Sequence, residues 1–207
     1  MKLYQAKVVN TCPRRVTIYM AEKGLSCDIV TIDMRAGEGR APEFLEKNPT
    51  GAVPVLEVSD GVFLPESGAI VEYLEELHPD PPMIGTSPLE RAQVRATDRM
   101  VTDFILRNGL IMVHTDPEVP KRRPGFVQYP EVATAVRELR ANILAALEVR
   151  IGDREFLAGD RPTIADCSFF AAVDTSQRLS KYEIPAKYPR LTRWFEAFRR
   201  RPSAQYP

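Results

Sequence analysis

Along the first third of the chain, the hydrophobic pattern changes period every few residues. Lys2–Val9 mixes β-branched and polar residues as a strand does. Pro13 opens an amphipathic stretch through Lys23, and Gly24 comes next, where a helix C-cap belongs. Cys27–Ile32 reads as a second strand, the charged, glycine-bearing Arg35–Arg40 as a loop, and Pro42–Lys47 as a short helix. Val53–Val58 is a β-branched run, and Ser59-Asp60-Gly61 signals a hairpin turn before Val62–Leu64. Glu66–Leu77 returns to helical spacing, with Ile70, Val71 and Leu74 on one face.

The proline-rich stretch His78-Pro79-Asp80-Pro81-Pro82 ends that helix and stiffens the chain beyond it, as an interdomain linker would. Beyond Pro88 the pattern is helical almost throughout. It predicts helices over Leu89–Asn108, Tyr129–Ile151, Thr163–Leu179 and Tyr188–Arg200, with a loop or broken helix end over His114–Gly125. The expected class is therefore α/β plus all-α. A mixed domain spans residues 1–78, a linker 79–87, and a helical-bundle domain 88–207.

Composition narrows the functions available. At 207 residues the chain is long enough for two small domains with buried cores. Lys plus Arg number 28 and Asp plus Glu 28, so no net field draws the protein to nucleic acid or to an anionic membrane. The start reads straight into structure, without a signal-peptide core, and no run is long enough to span a bilayer; a cytoplasmic protein is expected. Cys12, Cys27 and Cys167 form neither a disulfide framework nor a zinc spacing, and His78 and His114 are too far apart for a metal site. Cys27 and Cys167 are expected in the core.

Two local features carry chemistry. In Asn48-Pro49-Thr50-Gly51-Ala52-Val53-Pro54-Val55-Leu56, a proline stands just ahead of a strand, where it cannot donate to the ladder. A cis Val53–Pro54 bond would make a sharp turn at the sheet edge and leave the Val53 amide and carbonyl free to bind an extended peptide as an added strand. A plain loop proline is the alternative. One hairpin later, Pro65-Glu66-Ser67 opens a helix. Its free amides and the Ser67 hydroxyl suit a carboxylate, and Glu66 suits an ammonium. An ordinary helix cap is the alternative there.

Taken together, these motifs resemble the glutathione transferase family, and the resemblance covers the whole chain. Gly159-Asp160-Arg161-Pro162-Thr163-Ile164-Ala165-Asp166 resembles the family's capping box, with Thr163 as cap and Asp166 reaching back to its amide. Tyr188-Pro189-Arg190-Leu191-Thr192-Arg193-Trp194 resembles its last helix. The resemblance implies an N-terminal thioredoxin-like domain that binds glutathione as co-substrate and a C-terminal helical domain that shapes a pocket for a hydrophobic or aromatic electrophile. It implies a homodimer, and a detoxification type of chemistry: displacement, addition or thiolytic ether cleavage. Val53 and Pro54 would grip the cysteinyl backbone, Glu66 and Ser67 the γ-glutamyl end, and Arg40, or less fittingly Lys47, the glycyl carboxylate.

At the sulfur position the chain reads Asn10-Thr11-Cys12-Pro13-Arg14-Arg15. Asn10 stands where the family usually has Ser or Cys, and Asn10 or Thr11 would stabilise a thiolate, as in bacterial subgroups. Cys12 is the rival: Cys-Pro at a helix start resembles a glutaredoxin half-site, although Arg15 occupies the place of a second cysteine. A glutathione-dependent thiol–disulfide oxidoreductase is thus one alternative, and a non-catalytic protein-binding module another. On the first long helix of the second domain, Asp98 or Asp103 would reach a partner subunit's glutathione, or Asp103 would simply pair with Arg107. Met100, Phe104, Asn108 and Met112 would line the electrophile pocket or belong to the core. The Lys121-Arg122-Arg123 run would attract acidic substrates or merely face solvent.

Overall fold

The computed structural model describes residues 1–122 and 125–205. Strand β1 (Lys2–Ala6) leads through helix α1 (Thr11–Glu22) to β2 (Asp28–Ile32). A 3-10 turn (Glu38–Arg40) and the short α2 (Pro42–Leu45) precede the hairpin β3 (Val55–Ser59) and β4 (Val62–Pro65), and α3 (Ser67–Leu77) comes after it. The strand order is β2-β1-β3-β4. β1 runs parallel to β2 and antiparallel to β3, and β3 is antiparallel to β4.

This order corrects one expectation. Val53–Pro54 is cis, but it does not lie at a lateral edge of the sheet, because β3 is an interior strand. The proline enters ahead of the first ladder residue, Val55, where a missing N–H costs no ladder bond.

Past the linker, six further elements follow among the described residues. They are α4 (Pro88–Thr115), α5 (Glu118–Arg122), α6 (Pro130–Ile151), α7 (Ile164–Ser180), α8 (Pro189–Phe198) and a closing 3-10 turn (Pro202–Gln205). Among the described residues, no helix is long and apolar enough to cross a membrane. α4 runs two turns beyond the expected stop at Asn108. Gly109, a poor helix former, follows that stop, but Ile111 is buried with Ala133 and Val136 of α6, and that packing carries the helix on.

α7 is the central post of the second domain. From Ile164 to Ser176 it is buried, with Phe169 stacked on Trp194 and Phe170 on Phe195 at 5.1 Å. The capping residues act as expected: the Thr163 amide and hydroxyl both donate to Asp166, at 2.9 and 2.7 Å. The two domains meet along α1 and α7. There Arg14 pairs with Asp174 at 2.7 Å and donates to the Ala204 carbonyl at 2.9 Å. Below α1, one hydrophobic core runs unbroken from Leu3 and Leu56 of the sheet to Phe169 and Trp194.

Candidate active site

The hairpin register brings the Val53-Pro54 and Glu66-Ser67 motifs to one end of the sheet. Val55 pairs with Pro65, so Val53 on one strand and Ser67 beyond the other leave the ladder side by side. Among the described residues, the Val53 N–H and C=O have no hydrogen-bond partner, although Val53 is only 9% exposed. An unpaired backbone unit at such burial is uncommon. The loop before it is held rigidly. Asn48 is buried, donates to the Ala52 carbonyl at 2.8 Å and accepts from Thr50. Gly51 has φ +66°, and a Cβ there would run into the Gly39 carbonyl, so only glycine fits.

Glu66 is exposed and sits at φ 71° as the residue before α3. A non-glycine residue in this region is strained, and such strain concentrates at functional sites. Ser67 opens α3 and is buried. Its hydroxyl meets the Cys12 thiol, so the start of α3 touches the start of α1.

At the start of α1, Asn10 is the N-cap, and its Oδ1 accepts from the Cys12 N–H at 3.2 Å. Its amide N–H2 group is left to donate. Thr11 is half-buried, and among the described residues neither its hydroxyl nor its N–H has a partner. Cys12 is half-buried. Burial pushes its thiol above the usual range, and it outweighs the Arg15 cation and the Ser67 hydrogen bond, both of which pull the other way. Cys12 is thus a protonated thiol at neutral pH rather than an activated nucleophile.

Arg40 lies in the 3-10 turn, exposed and with no ion pair among the described residues. Its guanidinium packs by Gly51, two residues before Val53. Lys47 is directed elsewhere: its Nζ lies 5.0 Å from the Phe63 ring centroid and donates to the Glu43 carbonyl at 3.0 Å.

A cavity of about 220 Å³ opens between the domains. Asn10, Thr11 and Cys12 form one wall, with Asn108, Met112 and Thr175 among the residues opposite. A second, wider space of about 570 Å³ continues from it past Val9, Gly109 and Leu179 toward Met34 and Val119.

Only half of the expected α4 stripe faces this cleft. Asn108 and Met112 do, whereas Phe104 is fully buried between Phe169 and Tyr182, and Met100 packs on the core. Each i+4 step overshoots a full turn by about 40°, so Met100 and Met112 point roughly 120° apart. The acidic residues of α4 are engaged within the chain. Asp98 accepts from Arg15 at 3.0 Å and from Ser168 at 2.5 Å. Asp103 pairs with Arg99 and, at 3.7 Å, with Arg107. Of the basic run, Lys121 pairs with Glu118 at 2.6 Å, while the Arg122 side chain and Arg123 lie outside the described residues. Cys167 is buried as expected. Cys27 precedes β2 and is half-buried, with its sulfur 4.0 Å from that of Met20.

Sequence reasoning missed Arg15, which is 5% exposed beneath the site. It noted that position only as the place of an absent cysteine. It also missed Arg140, Thr175 and Ser176, whose spacing along the chain carries no motif.

A thioredoxin-like domain with an open helix start, facing a cleft roofed by a helical domain, defines a class of thiol-peptide-binding enzymes. The comparisons make the family specific. The model for the glutathione S-transferase N-terminal domain matches residues 8–82, and that for the C-terminal domain matches residues 102–202. The chain is 30% identical over 200 residues to glutathione S-transferase 2 of Saccharomyces cerevisiae, covering 93% of this chain and 83% of that protein. It is 35% identical over 168 residues to the maleylacetoacetate isomerase of Pseudomonas aeruginosa, covering 80% and 76%. Among solved structures, a glutathione S-transferase domain-containing protein of Marinobacter aquaeolei superposes with a TM-score of 0.88 at 32% identity, over 98% of this chain and 99% of that one. The chain belongs to the glutathione S-transferase family.

Proposed function

We propose that this protein activates the thiol of glutathione for attack on a hydrophobic or aromatic electrophile bound between its domains. The observation that carries the proposal is the unpaired Val53 N–H and C=O at the end of an interior strand, two residues from a fixed ladder pair. An extended cysteinyl residue satisfies both groups as an added strand would. From there Glu66 and Ser67 reach the γ-glutamyl ammonium and carboxylate, with the first amides of α3 adding to the carboxylate site. Arg40 meets the glycyl carboxylate. The sulfur then lies at the start of α1, against Asn10 and Thr11.

A free thiol of pKa about 8.5 is only a few per cent ionised at neutral pH. The Asn10 amide, the Thr11 hydroxyl and the positive end of α1 all favour the thiolate. Each unit by which they lower the pKa is about 1.4 kcal/mol of stabilisation of the charged form. The thiolate forms a bond to the electrophilic carbon while a leaving group departs with its electron pair. In an addition, the resulting carbanion takes up the proton instead. Holding both reactants in one cleft supplies the orientation.

The rival reading has a specific observation behind it, the placement of Cys12 in the same wall. The burial that raises its pKa, against the pull of Arg15 and Ser67, weighs against it. A cytoplasmic homodimer, divided into domains at residues 79–87, completes the proposal on the strength of family membership.

Glutathione affinity and conjugation rate, measured for wild type, Asn10→Ala, Thr11→Ala and Cys12→Ser, test the reading. Thr11→Ala or Asn10→Ala should lower turnover about tenfold or more and raise the kinetic pKa of bound glutathione. Cys12→Ser should keep turnover within about threefold. Abolished turnover in Cys12→Ser alone would establish cysteine-dependent thiol transfer, and absence of glutathione binding in the wild type would leave a non-catalytic module.

A further inference from the structure

The wall opposite Asn10–Cys12 has a positive charge behind it with no counter-ion among the described residues. Arg140, on α6, donates through Nη1 to Asn108 Oδ1 at 2.6 Å and lies over the Tyr182 ring at 4.6 Å. Among the described residues no carboxylate pairs with it, and its Nε is buried without a hydrogen-bond partner. Burial pulls its pKa down, as it does for a cation short of compensating charge. Arg140 is half-buried, whereas the fully buried arginines are matched, Arg14 by Asp174 and Arg15 by Asp98. A half-buried cation without a partner carboxylate bears part of the desolvation cost uncompensated, and a ligand anion at the wall would offset it.

Other polar groups in the same wall are also incomplete. Thr175 is 4% exposed and lines the cavity, yet its hydroxyl has no partner. The Tyr182 hydroxyl, behind the wall beside Arg140, is likewise buried without one, and its pKa is pushed up to about 12 by burial. Asn108 gives its oxygen to Arg140 and one amide hydrogen to Ser176 Oγ at 3.0 Å. The guanidinium thereby fixes the flip of the amide, so the Asn108 side chain faces the cavity wall as a donor with one N–H to spare. The rest of the lining is apolar, from Ile105, Met112, Ala172 and Leu179. At about 220 Å³ the cavity exceeds the roughly 150 Å³ that holds a benzene ring.

We propose that the second substrate is a small aromatic or unsaturated electrophile bearing a carboxylate. The carboxylate accepts from Asn108 and Thr175 in the field of Arg140, and the reacting carbon faces Asn10 and Thr11. A carboxylate is an acceptor only, which suits the spare Asn108 N–H and the Thr175 hydroxyl as donors. A neutral electrophile of the same shape leaves Thr175 and Arg140 as incomplete as they are in the free protein. The inference rests on the reading of this cleft as the electrophile pocket.

Calorimetric titration of the full-length protein with glutathione, S-benzylglutathione and S-(4-carboxybenzyl)glutathione tests it without requiring turnover. The carboxylated conjugate should bind the wild type about tenfold more tightly than the neutral one. That ratio should fall to about threefold or less in Arg140→Met. It should fall as well in Thr175→Val, which removes only an unpaired hydroxyl and so keeps the fold testable should Arg140→Met not fold. Equal or weaker binding of the carboxylated conjugate by the wild type would overturn the inference and leave the transferase reading intact. An undiminished ratio in the folded variants would overturn the assignment to this wall. Failure of glutathione and of both conjugates to bind would instead overturn the transferase reading, and the inference with it.

Discussion

The starts of α1 and α7 are built from the same physics and end in opposite conditions. Each helix exposes its first amides and the positive end of its dipole. At α7 the chain completes its own start. Asp166, fully buried, accepts from the Thr163 amide and hydroxyl, from the Leu157 N–H at 2.9 Å and from the Trp194 indole at 2.8 Å. At α1 the chain leaves its start open: Asn10 supplies one exposed bond at 3.2 Å, and Thr11 has none among the described residues. A helix start that closes on its own carboxylate locks three segments together. One that stays open toward a cleft holds its donors ready for a ligand's charge, at little cost to the fold because water reaches them.

The contrast makes unequal demands on stability. Asp166→Ala should have the largest effect, since it orphans the buried amides of Thr163 and Leu157 and the Trp194 indole. At about 1–3 kcal/mol for each orphan, denaturant unfolding should show a loss of at least about 3 kcal/mol, or no folded protein at all. A loss near 1 kcal/mol would mean that the two starts are energetically alike.

The far end of α1 is closed, and it adds a pH signature. Glu22 accepts from Arg201 Nε and Nη2 at 2.7 and 2.8 Å and from the Ser203 hydroxyl. Burial pushes its carboxyl up, but these bonds prevail and hold it below the usual range. A depressed carboxyl stabilises the folded state above the unfolded pKa of about 4.3, and that stabilisation is lost as pH falls through the folded value. Glu22→Gln should therefore cost about 1.5–3 kcal/mol at pH 7. Its deficit against wild type should shrink as the pH drops below about 4. A deficit independent of pH would show that the charge of Glu22 contributes nothing to the closed end.

The smallest effect on stability belongs to the open start. Asn10→Ala removes one exposed cap bond and should cost about 1 kcal/mol in the same unfolding measurement. A cost equal to that of Asp166→Ala would abolish the distinction between the two ends.

The features legible in advance divide along the same line. The Thr163–Asp166 cap, the turn at Val53–Pro54 and the helix opening at Glu66-Ser67 are each written within a few consecutive residues, and each forms, although the turn precedes an interior strand rather than an edge strand. The stripe on α4 was only half legible, because helical drift turns Phe104 into the core while Asn108 and Met112 stay at the cleft. The length of α4 was missed, because Gly109 speaks locally and the packing of Ile111 on α6 does not.

The sequence by itself determined the order of elements, the two-part architecture and the short motifs at Val53-Pro54 and Glu66-Ser67, because capping, turn formation and periodicity act between near neighbours. Only the tertiary structure decided which strand Pro54 precedes, that Asp98 is committed to Arg15 from 83 residues away, and that Arg140 stands behind Asn108 without a counter-ion among the described residues. Charge compensation and burial depend on which side chains the fold brings within a few ångströms, and the spacing of those residues along the chain carries no record of it.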